Sequence, residues 1–148
     1  MKINDNAFDF ELKDADGNLI KLSDYKDKTV ILYFYPKDNT PGCTKEACNI
    51  RDNLSSLKKK GLIIFGISLD NDESHKKFTE KYNLNFPLLS DNDKKVSKAY
   101  GIYVKKNMYG KEYYGIKRTT FIIEKMKIKN IIEKVDVENH AKQILELL

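Results

Sequence analysis

The feature that most constrains the fold is an apolar run that ends in a loop rich in proline and glycine. Residues 30–34 read Val-Ile-Leu-Tyr-Phe, which is typical of a buried β-strand. Pro36, Pro41 and Gly42 follow and interrupt regular structure. Residues 44–51 can then continue as a helix. The sequence therefore predicts a strand, a tight loop and a helix start in direct succession.

Both cysteines of the chain lie in this segment, and the first one is predicted to be reactive. Cys43 falls at or near the first helical turn, where free backbone N–H groups and the helix dipole favour an anion. The thiolate is the nucleophilic form of cysteine, and helix N-termini favour it. An inert, buried cysteine is the alternative interpretation.

Cys48 follows Cys43 by five residues. In an intact helix that spacing spans about 7.5 Å along the axis and turns roughly 140° beyond a full revolution. A disulfide needs Cα atoms within about 7 Å and converging Cβ vectors, so the two residues can bond only if the helix start unwinds. We therefore expect an attacking and a resolving thiol. Two cysteines are too few for a closed zinc site, and no cofactor is predicted.

Residues 34–48 resemble the active-site segment of peroxiredoxins, in the bacterioferritin comigratory protein (PrxQ) branch. They read Phe-Tyr-Pro-Lys-Asp-Asn-Thr-Pro-Gly-Cys-Thr-Lys-Glu-Ala-Cys. The family pattern of proline, three residues, threonine or serine, two residues and cysteine is met by Pro36, Thr40 and Cys43. Cys48 matches the resolving cysteine that this branch carries in the same helix.

Residues 115–123 resemble the family strand that carries the active-site arginine, here Arg118, and the whole resemblance covers about residues 3–145. It implies an α/β thioredoxin-like fold of the peroxiredoxin type, with a central mixed sheet flanked by helices and an N-terminal β-hairpin. A single domain over residues 1–148 is expected, because that length suits one core. Alternating strand and helix patterns independently favour a layered α/β domain.

The resemblance also implies the chemistry of a thiol-dependent peroxidase. Cys43 would attack hydrogen peroxide or an organic hydroperoxide, and Cys48 would convert the resulting sulfenic acid into a disulfide. Thioredoxin or a similar dithiol would reduce that bridge. Arg118 would stabilise the thiolate and hold the peroxide, Thr40 would offer its hydroxyl group, and Pro36 would shield the pocket from water.

Charge and hydropathy limit the partners. The chain has a net charge of +5, but its lysines are spread among acidic residues, so no nucleic-acid partner is expected. No apolar run is long enough for a membrane span, and the first residues lack a secretion signal, so a cytoplasmic location is expected. A monomer is expected, because a resolving cysteine in the same helix removes the chemical need for a second subunit.

Two other functions stay open from the sequence. One is a thiol–disulfide oxidoreductase, although such proteins normally use two intervening residues and here there are four. The other is a non-enzymatic, redox-responsive binding module whose helix unwinds on oxidation.

Four further polar residues are not predicted to take part in the chemistry. His75 is expected to be solvated and His140 to be incidental. Glu46 could orient a nearby cation or improve the helix start, and the second role is favoured; Arg51 is expected to lie on the surface, with a role near the site left open. The remaining pattern predicts strands and helices along the whole chain. The strands are expected at residues 8–12, 19–22, 29–35, 62–68, 86–90, 118–124 and 128–135, the helices at 44–60, 71–82, 94–100 and from 137, and a loop or hairpin at 103–114.

Overall fold

A computed structural model describes all 148 residues, and strands alternate with helices along most of the chain. The elements are β1 (Glu11–Lys13), β2 (Leu19–Lys21), β3 (Thr29–Phe34), α1 (Pro41–Lys59), β4 (Leu62–Ser68), α2 (Asp72–Tyr82), β5 (Leu88–Ser90), α3 (Lys95–Ala99), β6 (Tyr103–Met108), β7 (Lys111–Ile116), β8 (Thr119–Glu124), β9 (Lys127–Ile132) and α4 (His140–Glu146). No helix is both long and apolar enough to cross a membrane.

Seven strands form one mixed sheet in the order β2-β1-β5-β4-β3-β8-β9. Strands β3, β4 and β5 are parallel to their neighbours in this group, whereas β8 runs antiparallel to β3 and β1 antiparallel to β5. Strands β1 and β2 pair as the expected N-terminal hairpin. The predicted thioredoxin-like fold, with its central mixed sheet and flanking helices, is thereby confirmed.

The two faces of the sheet carry two separate cores because side chains alternate along a strand. Along β3, Ile31 and Tyr33 point into a cluster that includes buried residues of α1, α2 and α4. Val30 and Leu32 point into a second cluster with α3 and the N-terminal segment. Strand β3 is covered on both faces, which explains its continuous apolar sequence.

Helix α1 buries one face because its apolar residues recur at helical spacing. Ala47, Ile50, Leu54 and Leu57 all pack into the first core. The helix ends before Gly61, whose φ of 76° lies in the left-handed region that favours glycine. Since β3 leads into this helix, the loop between them lies at the carboxyl end of a central strand.

The structure corrects several predicted boundaries. The first strand covers 11–13 rather than 8–12, because Phe10 N donates to the Asp9 side chain instead of to a neighbouring strand. Residues 103–114, predicted as a loop or hairpin, form the hairpin β6–β7 as a separate two-stranded sheet. The last helix begins at His140 rather than at residue 137, because residues 136–139 form a turn in which Asn139 N donates to Asp136 O.

Candidate active site

The start of α1 places Cys43 in the first helical turn, as predicted. The helix begins at Pro41, a position where a missing N–H is harmless. Thr40 is the extended residue before it, and its carbonyl accepts the first helical hydrogen bond, from Thr44 N. The Cys43 side chain is buried, with 1% of the residue exposed. Its sulfur therefore lies at the N-terminal end of the helix dipole and away from bulk water.

Arg118, just before β8, reaches the same point because β8 pairs with β3. Its Nη2 donates to Cys43 Sγ at 3.3 Å and its Nη1 to Glu46 Oε1 at 2.6 Å. Gly42 allows this approach, because a Cβ there would lie 3.2 Å from Nη2. Burial tends to lower the pKa of Arg118, but Glu46 and Cys43 outweigh it and leave that pKa raised. The predicted proximity of Arg118 and Cys43 is thus observed.

Glu46 is the buried partner of this arginine, so its interpretation as a mere helix-start residue was wrong. It lies one turn after Cys43 and has no exposed surface. Burial raises the pKa of Glu46 to about 7, and the charge and hydrogen bonds of Arg118 oppose that rise. Its second oxygen, Oε2, has no hydrogen-bond partner. The carboxylate therefore fixes the guanidinium in place at an electrostatic cost.

His140 lies behind Glu46 and is fully buried, so the expectation that it is incidental was also wrong. Its Nε2 lies 2.8 Å from Thr120 Oγ1 and 3.4 Å from Glu46 Oε2, and its Nδ1 lies 3.1 Å from Gln143 Oε1. Burial is the main reason that the pKa of His140 falls to about 4. A neutral ring that donates from Nδ1 to Gln143 and accepts at Nε2 from Thr120 satisfies both hydrogen bonds of the ring and leaves Glu46 Oε2 without a donor.

A second buried network holds the loop that precedes α1. Asp38 accepts a hydrogen bond from Tyr35 Oη at 2.5 Å and another from Ser74 Oγ at 2.8 Å. His75 Nδ1 lies 2.7 Å from the same carboxylate, and its Nε2 lies 3.0 Å from Leu89 O. His75 is therefore buried between the loop and β5, so the prediction that it is solvated was wrong. The loop geometry depends on these contacts from α2.

Thr40 and Pro36 belong to the loop before α1, and no hydrogen bond joins either of them to the sulfur. The Thr40 hydroxyl donates to Lys37 O at 2.9 Å, within the loop. Pro36 is half-buried and lies two residues after the end of β3. The structure thus brings Cys43 and Arg118 together and leaves Thr40 turned toward its own loop.

Cys48 lies further along the unbroken helix α1, is half-buried, and is free, as is Cys43. Because both residues belong to one continuous helix, a bond between them requires the helix start to unwind. Arg51, one turn later, donates to Tyr82 O at 2.6 Å and so binds the end of α2 rather than the site.

Comparisons with known proteins agree with this geometry. Residues 3–131 match the AhpC/TSA family. The chain is 50% identical over 137 residues to a putative peroxiredoxin bcp of Coxiella burnetii, covering 92% of this chain and 91% of the relative. It is 46% identical over 149 residues to peroxiredoxin Bcp of Bacillus subtilis, covering 100% and 95%.

Solved structures give the same result. A bacterioferritin comigratory protein of Xanthomonas campestris, studied for its alkyl peroxide reduction, superposes with a TM-score of 0.87 at 36% identity, over 93% of this chain and 88% of that one. A cysteine-to-serine variant of Xylella fastidiosa PrxQ gives 0.92 at 34% identity, over 99% and 94%. Matches of this extent make the chain a member of the AhpC/TSA family, a peroxiredoxin of the Bcp (PrxQ) branch and so a thiol-dependent peroxidase.

Proposed function

We propose that the chain reduces hydrogen peroxide and organic hydroperoxides with Cys43 as the attacking thiolate. The observation that carries the proposal is the 3.3 Å contact from Arg118 Nη2 to Cys43 Sγ in the first turn of α1. A permanent cation and a helix N-terminus both stabilise a negative sulfur. An inert core cysteine needs neither, so the contact favours a reactive thiol over a packing role.

In the attack step, the thiolate forms a bond to the terminal oxygen of the peroxide as the O–O bond breaks. The electron pair of that bond leaves with the second oxygen, which takes up a proton as water or alcohol, and Cys43 becomes a sulfenic acid. Charge grows on the leaving oxygen, where Arg118 and the free amides of the helix start can stabilise it. Thr40 would turn its hydroxyl from Lys37 O toward the peroxide, and Pro36 would keep water out.

In the resolving step, the Cys48 thiol attacks the sulfur of the sulfenic acid. The S–S bond forms, hydroxide leaves, and a proton converts it to water. The start of α1 must unwind first, because both residues belong to one intact helix. A dithiol reductant of the thioredoxin type then opens the bridge by two exchange reactions and returns both thiols.

The same cycle suggests where and in what state the chain works. Both thiols must return to the reduced form, which a cytoplasmic thiol pool supports. Because attacking and resolving thiols belong to one helix, a monomer can complete the cycle. Neither a nucleic acid nor a membrane takes part in any step.

Two cysteine variants test the proposal in stopped-flow and mass-spectrometric experiments. Cys43→Ser should consume no peroxide, whereas Cys48→Ser should consume about one equivalent and then stall without an external thiol. Oxidised wild-type protein should contain a Cys43–Cys48 link. Rapid peroxide consumption by Cys43→Ser would overturn the attacking role. Sustained thioredoxin-driven turnover by Cys48→Ser would overturn the resolving role.

A further inference from the structure

Asn49, the residue directly after Cys48, joins two helices through its side chain. Its Nδ2 donates to Glu138 O at 2.8 Å, and its Oδ1 accepts a hydrogen bond from Ala141 N at 2.8 Å. Asn139, the residue at the N-cap position of α4, gives no side-chain hydrogen bond to that helix start. Asn49 therefore satisfies a backbone N–H that α4 cannot satisfy internally.

We propose that Asn49 is a positioning residue that ends the unwinding of α1, so that residues 43–48 open while the helix from residue 49 onward persists. The inference rests on the proposed role of Cys48 as the resolving thiol. If unwinding continued through Asn49, both hydrogen bonds to the start of α4 would be lost. Unwinding that stops before Asn49 keeps them.

The residues after Cys48 also form a ready N-terminus for a shortened helix. Asparagine is among the best N-cap residues and is a weak helix former in a helix interior, where Asn49 now lies. Asp52 would then occupy the first turn, where the helix dipole favours a negative charge. In the opened state, the Asn49 side chain can stay on α4 or turn to the new helix start. Either set of hydrogen bonds holds the boundary at the same residue.

The contacts on the other side of this boundary weaken once Cys43 is oxidised. The sulfur of a sulfenic acid no longer carries the thiolate charge, so the donor at Arg118 Nη2 loses a charged acceptor. The ion pair between Lys45 and Glu138 is largely exposed, and exposed pairs hold a helix only weakly. Oxidation thus removes the charged acceptor at Cys43, whereas the Glu46–Arg118 ion pair at 2.6 Å still has to break for residues 43–48 to open, and the hydrogen bonds of Asn49 to the start of α4 are unaffected.

The proposal predicts a slower resolving step when Asn49 cannot act as an N-cap. Asn49→Ala favours the intact helix and disfavours the shortened one, so Cys43–Cys48 disulfide formation should slow by about fivefold to tenfold, as expected for a lost N-cap. The rate at which peroxide oxidises Cys43 should stay the same. With excess peroxide, a larger share of Cys43 should proceed to sulfinic acid.

Two further variants separate the boundary role from a general effect on the helix. Asn49→Asp keeps both an acceptor for Ala141 N and N-cap capacity, so it should restore rapid disulfide formation. Asn53→Ala makes the same substitution one turn later, removes the hydrogen bond to Asn49 O, and should leave the rate unchanged. Rapid-quench mass spectrometry after a peroxide pulse measures free thiol, disulfide and sulfinic acid in each variant.

Hydrogen exchange on the oxidised wild-type chain gives an independent measurement. Amides of residues 43–48 should exchange rapidly while those of residues 50–59 stay protected. Any of three results would overturn the inference. They are a wild-type rate of disulfide formation in Asn49→Ala, an equal slowing of that rate in Asn53→Ala, and rapid amide exchange throughout residues 50–59. If wild-type protein forms no Cys43–Cys48 link, the proposed resolving role itself has failed, and this shows before any Asn49 variant is compared.

Discussion

Replacing Arg118 by methionine removes both contacts of the guanidinium while keeping much of the side-chain length. The contact with Cys43 Sγ at 3.3 Å is expected to act on the reaction rate. Hydrogen bonds to charged groups contribute about 1.5–3 kcal/mol, and each 1.36 kcal/mol changes a rate tenfold. Because the same group also stabilises the leaving oxygen, Cys43 oxidation should slow by about 100- to 1000-fold, the range typical for loss of one oxyanion donor.

The contact between Arg118 and Glu46 at 2.6 Å is expected to act on stability. Glu46 has no exposed surface, and removing one partner of a buried ion pair costs about 3–5 kcal/mol. The lower end applies here because burial already raises the pKa of Glu46 to about 7, so the carboxylate can take up a proton. We therefore expect a loss of about 3 kcal/mol in the free energy of unfolding.

A double variant separates the two effects. Arg118→Met with Glu46→Gln leaves no unpaired carboxylate, so urea unfolding at pH 7 should show that most of the lost stability returns. Stopped-flow oxidation should remain slow, because the sulfur still lacks its cation. Arg118→Lys keeps the charge but cannot donate to both groups in a planar fork, so its oxidation rate should lie between those of the wild type and Arg118→Met. A wild-type oxidation rate in Arg118→Met, or recovery of that rate in the double variant, would refute this reasoning.

Three further predictions concern stability. Gly66→Ala should lower the urea-unfolding free energy by about 1–3 kcal/mol, because the new Cβ would lie 2.7 Å from Tyr33 Cζ. Lys125→Gly should raise it by about 1 kcal/mol, since exposed Lys125 has a φ of 51° in the β8–β9 turn. The pKa of His140 is lowered to about 4, so between pH 6.5 and pH 4 the unfolded chain binds a proton that the folded chain does not. The free energy of unfolding should therefore fall by roughly 3 kcal/mol in total as pH falls from 6.5 to 4. His140→Gln should lack this pH dependence when the free energies of unfolding at pH 7.5 and pH 5 are compared. Glu46, whose pKa is raised, changes the free energy of unfolding with pH in the opposite direction, and it does so in both proteins.

The parts of the fold that were predictable from the sequence depend on local pattern. Strand β4 covers residues 62–68 as predicted, because a continuous apolar run of that length suits a strand covered on both faces. The start of α1 was predictable to within three residues because Pro41 and Gly42 mark it: the helix was expected from residue 44 and begins at Pro41. The family motif added Arg118, which no local pattern connects with the cysteine.

The buried polar residues were missed because their burial depends on partners far away in the chain. Glu46 and Arg118 are 72 residues apart, and His75 and Asp38 are 37 apart. Helical periodicity gives the face on which a residue lies but not what covers that face. One signal was available: Glu46 lies three residues after Cys43, and such residues share a helix face.

The same buried groups explain how one helix can be both folded for attack and open for resolution. The second turn of α1 carries Glu46, whose pKa burial raises to about 7, so its ionised form would be more favourable in water. Arg118 offsets that penalty while it binds both Glu46 and Cys43. Once the sulfur is oxidised and uncharged, the helix start has lost one of the contacts that kept it closed, and opening it returns Glu46 to solvent. Burial of Glu46 therefore lowers the free-energy cost of opening the segment that the resolving step has to open.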